Sequence, residues 1–263
     1  MNFIDIEYRE REDSWAMSDL QSHDYYELYF LLDGTRDFFL GDRIFNISAT
    51  AFCVIPPFSM HKTSGGRYKR INVNVSPDLL SEREISFLDS LAEQSVYTMP
   101  GAHCEGVREL LRIASEVELV DVQEKRRITL SLMHSILYLL SLERLSPIEH
   151  GARTRIESRD TAMLQVAAYI GAHYAEELTL DAISERFYIS KNSLCRKFRE
   201  AMSCSVIQYL GFVRLSRAKE LLSTTAKSID EISDLCGYSS PNYFSLIFKK
   251  SVGISPREYR KTK

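Results

Sequence analysis

Cysteine is sparse and unpatterned in this sequence. Cys53, Cys104, Cys195, Cys204 and Cys236 are odd in number, far apart and never form a C-x-x-C pair. That speaks against a disulfide framework or a thiolate metal knuckle and fits reduced thiols in a cytosol. Long apolar runs are missing too. The longest, Ile128 to Leu145, is interrupted by Ser131, His134, Ser135, Ser141 and Glu143, so no membrane span is expected. The start, MNFIDIEYREREDSW, has neither the basic beginning nor the apolar run of a secretory signal, and a cytoplasmic location is expected. Low-complexity segments are absent. With 44 % apolar and 26 % charged residues, the chain has the balance of a globular protein rather than a disordered one.

What is present is asymmetric. At 263 residues the chain is long for one core and suits two domains. Residues 158 to 263 hold 16 Lys plus Arg against 11 Asp plus Glu, whereas residues 1 to 157 hold 17 against 25. The overall charge of -3 therefore hides a basic C-terminal part and an acidic N-terminal part. This is the pattern expected if only the C-terminal part must approach a polyanion.

The basic part contains a duplication. Leu194, Phe198, Ser205 and Tyr209 recur fifty residues later as Phe244, Phe248, Ser255 and Tyr259, while Leu180, Asp181 and Ile183 recur at forty-nine as Ile229, Asp230 and Ile232. The extra residue falls in a turn beside Gly237. Two copies of helix, tight turn, helix tolerate an insertion there because the helices, not the turn, set the apolar spacing. Seven helices can be placed by their starts: one from Arg159 to Tyr174, then others capped by Thr179, Ser190, Ser205, Ser228, Ser240 and Ser255, the last with Pro256 at its first position.

A DNA-reading helix needs one apolar face for docking and one polar face near its N-terminus. In the first copy Leu194 and Phe198 dock, which leaves Lys191, Asn192, Cys195, Arg196 and Arg199 outside. In the second, Phe244 and Phe248 dock, which leaves Asn242, Ser245, Leu246 and Lys249. Arg196 suits guanine and Asn192 suits adenine. Lys197, Lys250 and the helix starts at Ser190 and Ser240 suit phosphate. An ordinary solvated surface would also carry such charges, but the duplication argues against that reading.

The stretch IDEISDLCGYSSPNYFSLIFKKSVGISPREYR resembles the AraC-type family of bacterial transcription regulators. Gly237, Tyr238, Tyr243, Phe244, Phe248, Lys249, Gly253, Pro256, Tyr259 and Arg260 fall in register with the family pattern. The resemblance covers about Asp160 to Lys263. It implies two helix-turn-helix units joined by a long helix, about Ser205 to Ser223, that enter successive major-groove segments of double-stranded DNA. The chain departs at Leu246, where the family has Arg, and at Ser203, where Gly is usual. Leu246 can touch a thymine methyl but cannot hydrogen-bond guanine, so Arg196 is expected to dominate base reading.

Residues 23 to 75 read as short strands, HDYYELYFLL, TRDFFLG, RIFNIS, TAFCVIP and RINVNV, separated by turn residues. Two amphipathic helices follow before residue 146, one over Val107 to Val117 and one over Ile128 to Leu140. The second is apolar on more than one side, which points to a homodimer through roughly Glu124 to Leu145 or, equally, to an intrachain helix pair. His23, Tyr25 and Glu27 alternate along a strand and share a face. The spacing of His23, Glu27 and Gly34, and of Pro56 and His61, is similar to the two cupin motifs. Gln21 stands where metal-binding cupins have a further His, and Phe58 replaces a usual Gly. Three ligands, two His and one carboxylate, could still hold a metal, and a His23–Glu27 hydrogen bond is the purely structural alternative. The family resemblance implies a metal-free effector pocket at His23, Tyr25, Glu27 and His61. His134, alone on an apolar helix, is given no role.

The sequence thus leads to a multi-domain α and β protein. Residues 1–145 form a cupin-like β-barrel followed by two helices, for effector binding and dimerisation. Residues 146–158 are a linker, and residues 159–263 form an all-α double helix-turn-helix domain. The expected function is a sequence-specific, double-stranded DNA-binding regulator responding to a small-molecule effector, with no catalytic residue, cofactor or metal. The family resemblance favours an activator, although the residues do not separate contact with RNA polymerase from simple occlusion. Competing readings are a regulator controlled by a partner or by its abundance, and a metal-dependent cupin enzyme with a helical appendage.

Overall fold

The computed structural model describes residues 3–13, 17, 21–41, 43–99, 102–116, 121–143, 145–148, 158–202 and 204–262. Most of the expected linker, residues 149–157, lies outside them, as does Ser203.

The N-terminal part is an antiparallel sheet built around one long strand. Its strands are β1 (Ile4–Arg11), β2 (Tyr26–Leu40), β3 (Arg43–Ser48), β4 (Ala51–Ile55), β5 (His61–Ser64), β6 (Tyr68–Val75), β7 (Val96–Thr98) and β8 (Ser146–Pro147). The order is β1-β6-β2-β4-β7-β8, with β3 and β5 pairing the C-terminal part of β2. The sequence predicts two strands separated by Asp33-Gly34; instead β2 runs through, with a register shift between Leu31 and Asp33. Gly34 makes this possible. It has φ +89°, and a Cβ there would stand 2.1 Å from the Arg67 carbonyl oxygen, so only glycine fits the bend.

Alternation along the strands sorts two cores. Tyr26, Leu28, Phe30, Phe52, Val54, Ile71, Val73 and Val75 face the helices α1 (Glu82–Ala92), α2 (Ala102–Glu116) and α3 (Val122–Leu142). Tyr29, Leu31, Phe38, Phe45, Ile47, Cys53 and Ile55 form the second cluster, on the opposite face. Each fully buried side chain of this size contributes about 1.5–3 kcal/mol. The sequence predicts two helices here, and the structure adds α1, whose Ser81 and Glu84 form a reciprocal capping box. It also adds β1, paired with β6 along its whole length. Charged residues between Ile4, Ile6 and Tyr8 mask that strand in the sequence; Glu7 pairs with Arg70 and Glu10 with Lys69 across the two strands. Helix α3 buries Met133, Ile136, Leu137 and Leu140 in the chain's own core, yet Tyr138 and Leu142 are exposed. His134 is held by Glu84, Nδ1 to Oε1 2.5 Å.

The C-terminal part is all helix: α4 (Ser158–His173), α5 (Leu180–Arg186), α6 (Lys191–Met202), α7 (Val206–Thr224), α8 (Ile229–Leu235), α9 (Pro241–Val252) and α10 (Pro256–Lys261). All six expected caps, Thr179, Ser190, Ser205, Ser228, Ser240 and Ser255, accept through the side-chain oxygen the backbone N–H of the residue three positions on. Helix α7 joins the two units. Its Val206, Tyr209 and Leu210 pack with α4 to α6, and its Ala218 and Leu222 with α8 to α10.

The two parts meet along a seam. Phe39 of β2 and Met60, just before β5, lie in the same cluster as Met163, Val166 and Tyr209. The Tyr209 hydroxyl donates to the Gly41 carbonyl at 3.2 Å, and the Ser216 hydroxyl donates to the Phe58 carbonyl. Phe58 has φ +63°, a conformation that the glycine it replaces would adopt without strain.

Candidate nucleic-acid interface and sensor face

The two helix-turn-helix units superimpose at the level of single hydrogen bonds. Phe187 N donates to Ile183 O, Tyr188 N to Glu185 O and Ile189 N to Ser184 O; forty-nine residues later Cys236, Gly237 and Tyr238 donate to Ile232, Asp234 and Ser233. Leu194 N to Ser190 O and Phe244 N to Ser240 O are then fifty apart. The inserted residue is therefore Ser239. Both turns place one residue in the left-handed region, Tyr188 at φ 52° and Gly237 at φ 72°.

On α6, Leu194 and Phe198 are fully buried, and Lys191, Asn192, Arg196 and Arg199 are exposed. On α9, Phe244 and Phe248 are buried, and Asn242, Leu246, Lys249 and Lys250 are exposed. Cys195 and Ser245 sit half-buried at corresponding positions. Ser190 and Ser240 cap the two helices through their side chains, so their hydroxyls already satisfy one backbone N–H each. Two expected reading residues are already engaged. Arg196 Nη1 lies 3.0 Å from Glu200 Oε1, and Lys191 Nζ lies 2.5 Å from Asp181 Oδ1. Exposed pairs of this kind contribute only about 0.2–1 kcal/mol, little enough for a phosphate or base edge to displace. Glu200 was legible as the i,i+4 partner of Arg196. Tyr243, exposed on α9, also adjoins the expected reading face.

On the N-terminal side the structure brings His23, Glu27 and His61 together, by a different route from the one the spacing suggests. His23 and Tyr25 precede β2 instead of alternating along it. Their rings stack in parallel with centroids 3.8 Å apart. His23 Nε2 reaches Glu27 Oε2 at 3.1 Å, and His61 Nε2 lies 3.5 Å from the same oxygen. Gln21, beside them, pairs with His61 through both backbone hydrogen bonds. Asn72, which the sequence reading did not single out, donates from Nδ2 to Glu27 Oε1 at 2.5 Å. Its signal was the polar alternation Arg70, Asn72, Asn74 along RINVNV.

Electrostatics follow from burial and these contacts. Burial alone would raise the Glu27 carboxyl, but His23, His61 and Arg70 outweigh it and hold the group below its ordinary value. Burial lowers His61 despite the attraction of Glu27. The Tyr25 hydroxyl is pushed up to about 12 by burial, with Glu27 and Asp5 adding to it. His23, Tyr25 and Gln21 line a 370 Å³ cavity whose far wall is Phe212, Leu215 and Lys219 of α7 with Ser251 of α9. A larger cavity of 580 Å³ lies nearby along the seam between Met60 and Tyr209.

Comparison with known proteins agrees with both halves. The AraC-like ligand binding domain matches residues 3–140, and a helix-turn-helix domain matches residues 183–262. The HTH-type transcriptional activator RhaS of Enterobacter sp. (strain 638) is 24 % identical over 90 % of this chain and 86 % of that protein. The xylose operon regulatory protein of Escherichia coli (strain K12) is 35 % identical over 38 % of this chain, which spans only 26 % of that protein. Among solved structures, the C-terminal domain of AraT, a response regulator from Geobacillus stearothermophilus, is 33 % identical, covers 42 % of this chain and 89 % of its own, and gives a TM-score of 0.39. With its ligand-binding model spanning more than half of the chain and a helix-turn-helix domain behind it, this chain belongs to the AraC family of transcription regulators.

Proposed function

We propose that the chain is an effector-responsive activator that reads double-stranded DNA with α6 and α9 and senses its effector on the seam near His23, Tyr25, Glu27 and His61. The observation that carries the DNA part is the hydrogen-bond identity of the two units, each docking two apolar side chains and turning its polar face to solvent. Asn192 and Arg196 read bases; Leu246 and Ser245 supply methyl and shape contacts; Lys191, Arg199, Asn242, Lys249 and Lys250 hold the backbone. Activation, as opposed to repression, is supported by the likeness to the transcriptional activator RhaS. The chain acts as a regulator and not as an enzyme, in the cytoplasm, with residues 1–145 as sensor, 146–158 as linker and 159–263 as DNA-binding domain. The exposed Tyr138 and Leu142 on α3 support a homodimer through that helix.

Effector binding is transmitted through the seam. A ligand that prefers one packing of α7 against Gly41 and Phe58 shifts the balance between arrangements of the two reading helices. Selection of bound fragments from randomised DNA at two salt concentrations tests the DNA part. Two enriched blocks about one helical turn, roughly 34 Å, apart support it. Salt-sensitive binding without any enriched sequence would reduce the C-terminal part to a nonspecific basic surface.

A further inference from the structure

His23, Glu27 and His61 converge on one point. His23 Nδ1 lies 2.8 Å from the Tyr25 carbonyl oxygen, and His61 Nδ1 lies 3.2 Å from the Ser59 carbonyl oxygen. A carbonyl can only accept, so each Nδ1 carries the proton. Both Nε2 atoms face Glu27 Oε2, and a carboxylate also only accepts, so each Nε2 either carries a second proton toward Oε2 or, in the neutral ring, offers its lone pair to a metal ion. His61 is 2 % exposed and Glu27 8 %, so bulk water does not separate these groups. Lone pairs gathered in this way require a cation or added protons at their centre.

The geometry suits a metal ion. Bonds of about 2.1 Å at tetrahedral to octahedral angles put neighbouring ligand atoms roughly 3.0–3.4 Å apart. The two edges to Glu27 Oε2 are 3.1 and 3.5 Å; all three ligand atoms lie within 4.8 Å of one another, so the His23–His61 edge has to lie within about 4.2 Å, twice the bond length, when all three hold one ion. The outer contacts match as well. Backbone carbonyls fix the tautomer and ring plane of each His, and Asn72 holds Oε1 so that Oε2 turns inward. Two imidazoles and one carboxylate favour zinc, iron, nickel or cobalt over the all-oxygen preference of calcium and magnesium.

We infer that His23 Nε2, Glu27 Oε2 and His61 Nε2 form a site for one divalent transition-metal ion, with Asn72 as a positioning residue. This departs from the metal-free pocket that the family resemblance implies. With only three protein ligands, further coordination positions remain for water or a small ligand. His23 stands in the wall of the cavity shared with Phe212, Lys219 and Ser251, so occupancy of the site acts on the side of the sensor that touches the DNA-binding helices. The regulatory consequence rests on the reading of this seam as the effector face; the binding site itself does not.

Cobalt(II) titration of the full chain, followed by visible d–d absorption and by displacement with zinc, tests the site. The expected result is one ion per chain, lost in Glu27→Gln and in His23→Gln, and weakened roughly 10- to 100-fold in Asn72→Ala. Far-ultraviolet circular dichroism checks that each variant is folded, and His23→Gln, at the cavity wall, covers the case in which Glu27→Gln does not fold. Absence of ion-dependent absorption in the unaltered chain overturns the inference. Equal binding by the unaltered chain and His23→Gln overturns it too, because the ion then sits elsewhere. Fragment selection by the same preparation reports the regulator reading separately, so either can fail alone.

Discussion

Tyr188 and Gly237 occupy the same position in the two helix-turn-helix turns, and their backbones take the same left-handed conformation, φ 52° and 72°. Only one of them is suited to it. A Cβ on Gly237 would lie 2.6 Å from the Ala175 carbonyl oxygen and 2.8 Å from that of Tyr174, whereas Tyr188 is 96 % exposed and meets no such obstacle. Gly237→Ala is expected to destabilise the chain by about 2 kcal/mol or more, the combined cost of strain and a backbone clash. Tyr188→Gly is expected to stabilise it by about 0.5–1 kcal/mol. Urea midpoints of the two variants check both signs.

Lys250 is exposed in the last turn of α9 and is proposed to contact the DNA backbone. Lys250→Ala is expected to weaken binding to all DNA sequences alike and to reduce the slope of log affinity against log salt by about one. Fluorescence anisotropy at a series of salt concentrations measures that slope.

Arg196 is paired with Glu200 on the exposed face of α6. With α6 against DNA as proposed, Glu200→Gln removes a negative charge from that face and frees Arg196, so tighter DNA binding is expected, by about 1 kcal/mol. Thermal stability should change little, since both groups are exposed. An anisotropy titration of Glu200→Gln beside the unaltered chain decides the direction.

Glu84 links the cap of α1 to α3. Burial raises its carboxyl, but hydrogen bonds from Ser81 and from His134 outweigh this and hold it below its ordinary value of 4.5. A carboxyl lowered by folding adds stability above its unfolded value and loses it as pH falls through the lower, folded one. Glu84→Gln should therefore be less stable than the unaltered chain at neutral pH, and the gap should close as pH falls below about 4.5. Urea unfolding of both proteins across that range reads the gap.

The seam contributes to stability as well. Tyr209→Phe removes the hydrogen bond to the Gly41 carbonyl while keeping the ring beside Phe39 and Phe198. A loss of about 0.5–1.5 kcal/mol is expected, seen as a lower urea midpoint with unchanged slope.

Legibility in the sequence followed the range of the interactions. Six of the seven C-terminal helices could be read because each cap lies within three residues of its partner N–H, and because Leu194, Phe198, Phe244 and Phe248 repeat at helical spacing. The N-terminal sheet was harder. The pairing of β1 with β6 joins residues about seventy apart, and its charged residues hide the alternation of Ile4 and Ile6. The run through Asp33-Gly34 looks like a turn locally and becomes a bend only because Arg67 packs against it. At the sensor face, spacing found His23, Glu27 and His61 but not the backbone carbonyls and Asn72 that orient them. The seam between Phe58 and Ser216 had no local signal at all, since it depends on how two separately folded cores meet.

The two units share one backbone plan, and the proposed function divides their reading chemistry, with Asn192 and Arg196 against Ser245 and Leu246. The most direct test of that division is a binding titration of the unaltered chain and Arg196→Ala against a selected operator and its single base-pair variants. A guanine contact from Arg196 is worth about 1–3 kcal/mol of discrimination. Arg196→Ala is expected to flatten the differences within one block of the operator and leave the other block unchanged. A uniform loss across all sequences, like that expected for Lys250→Ala, would contradict the assignment of base reading to α6.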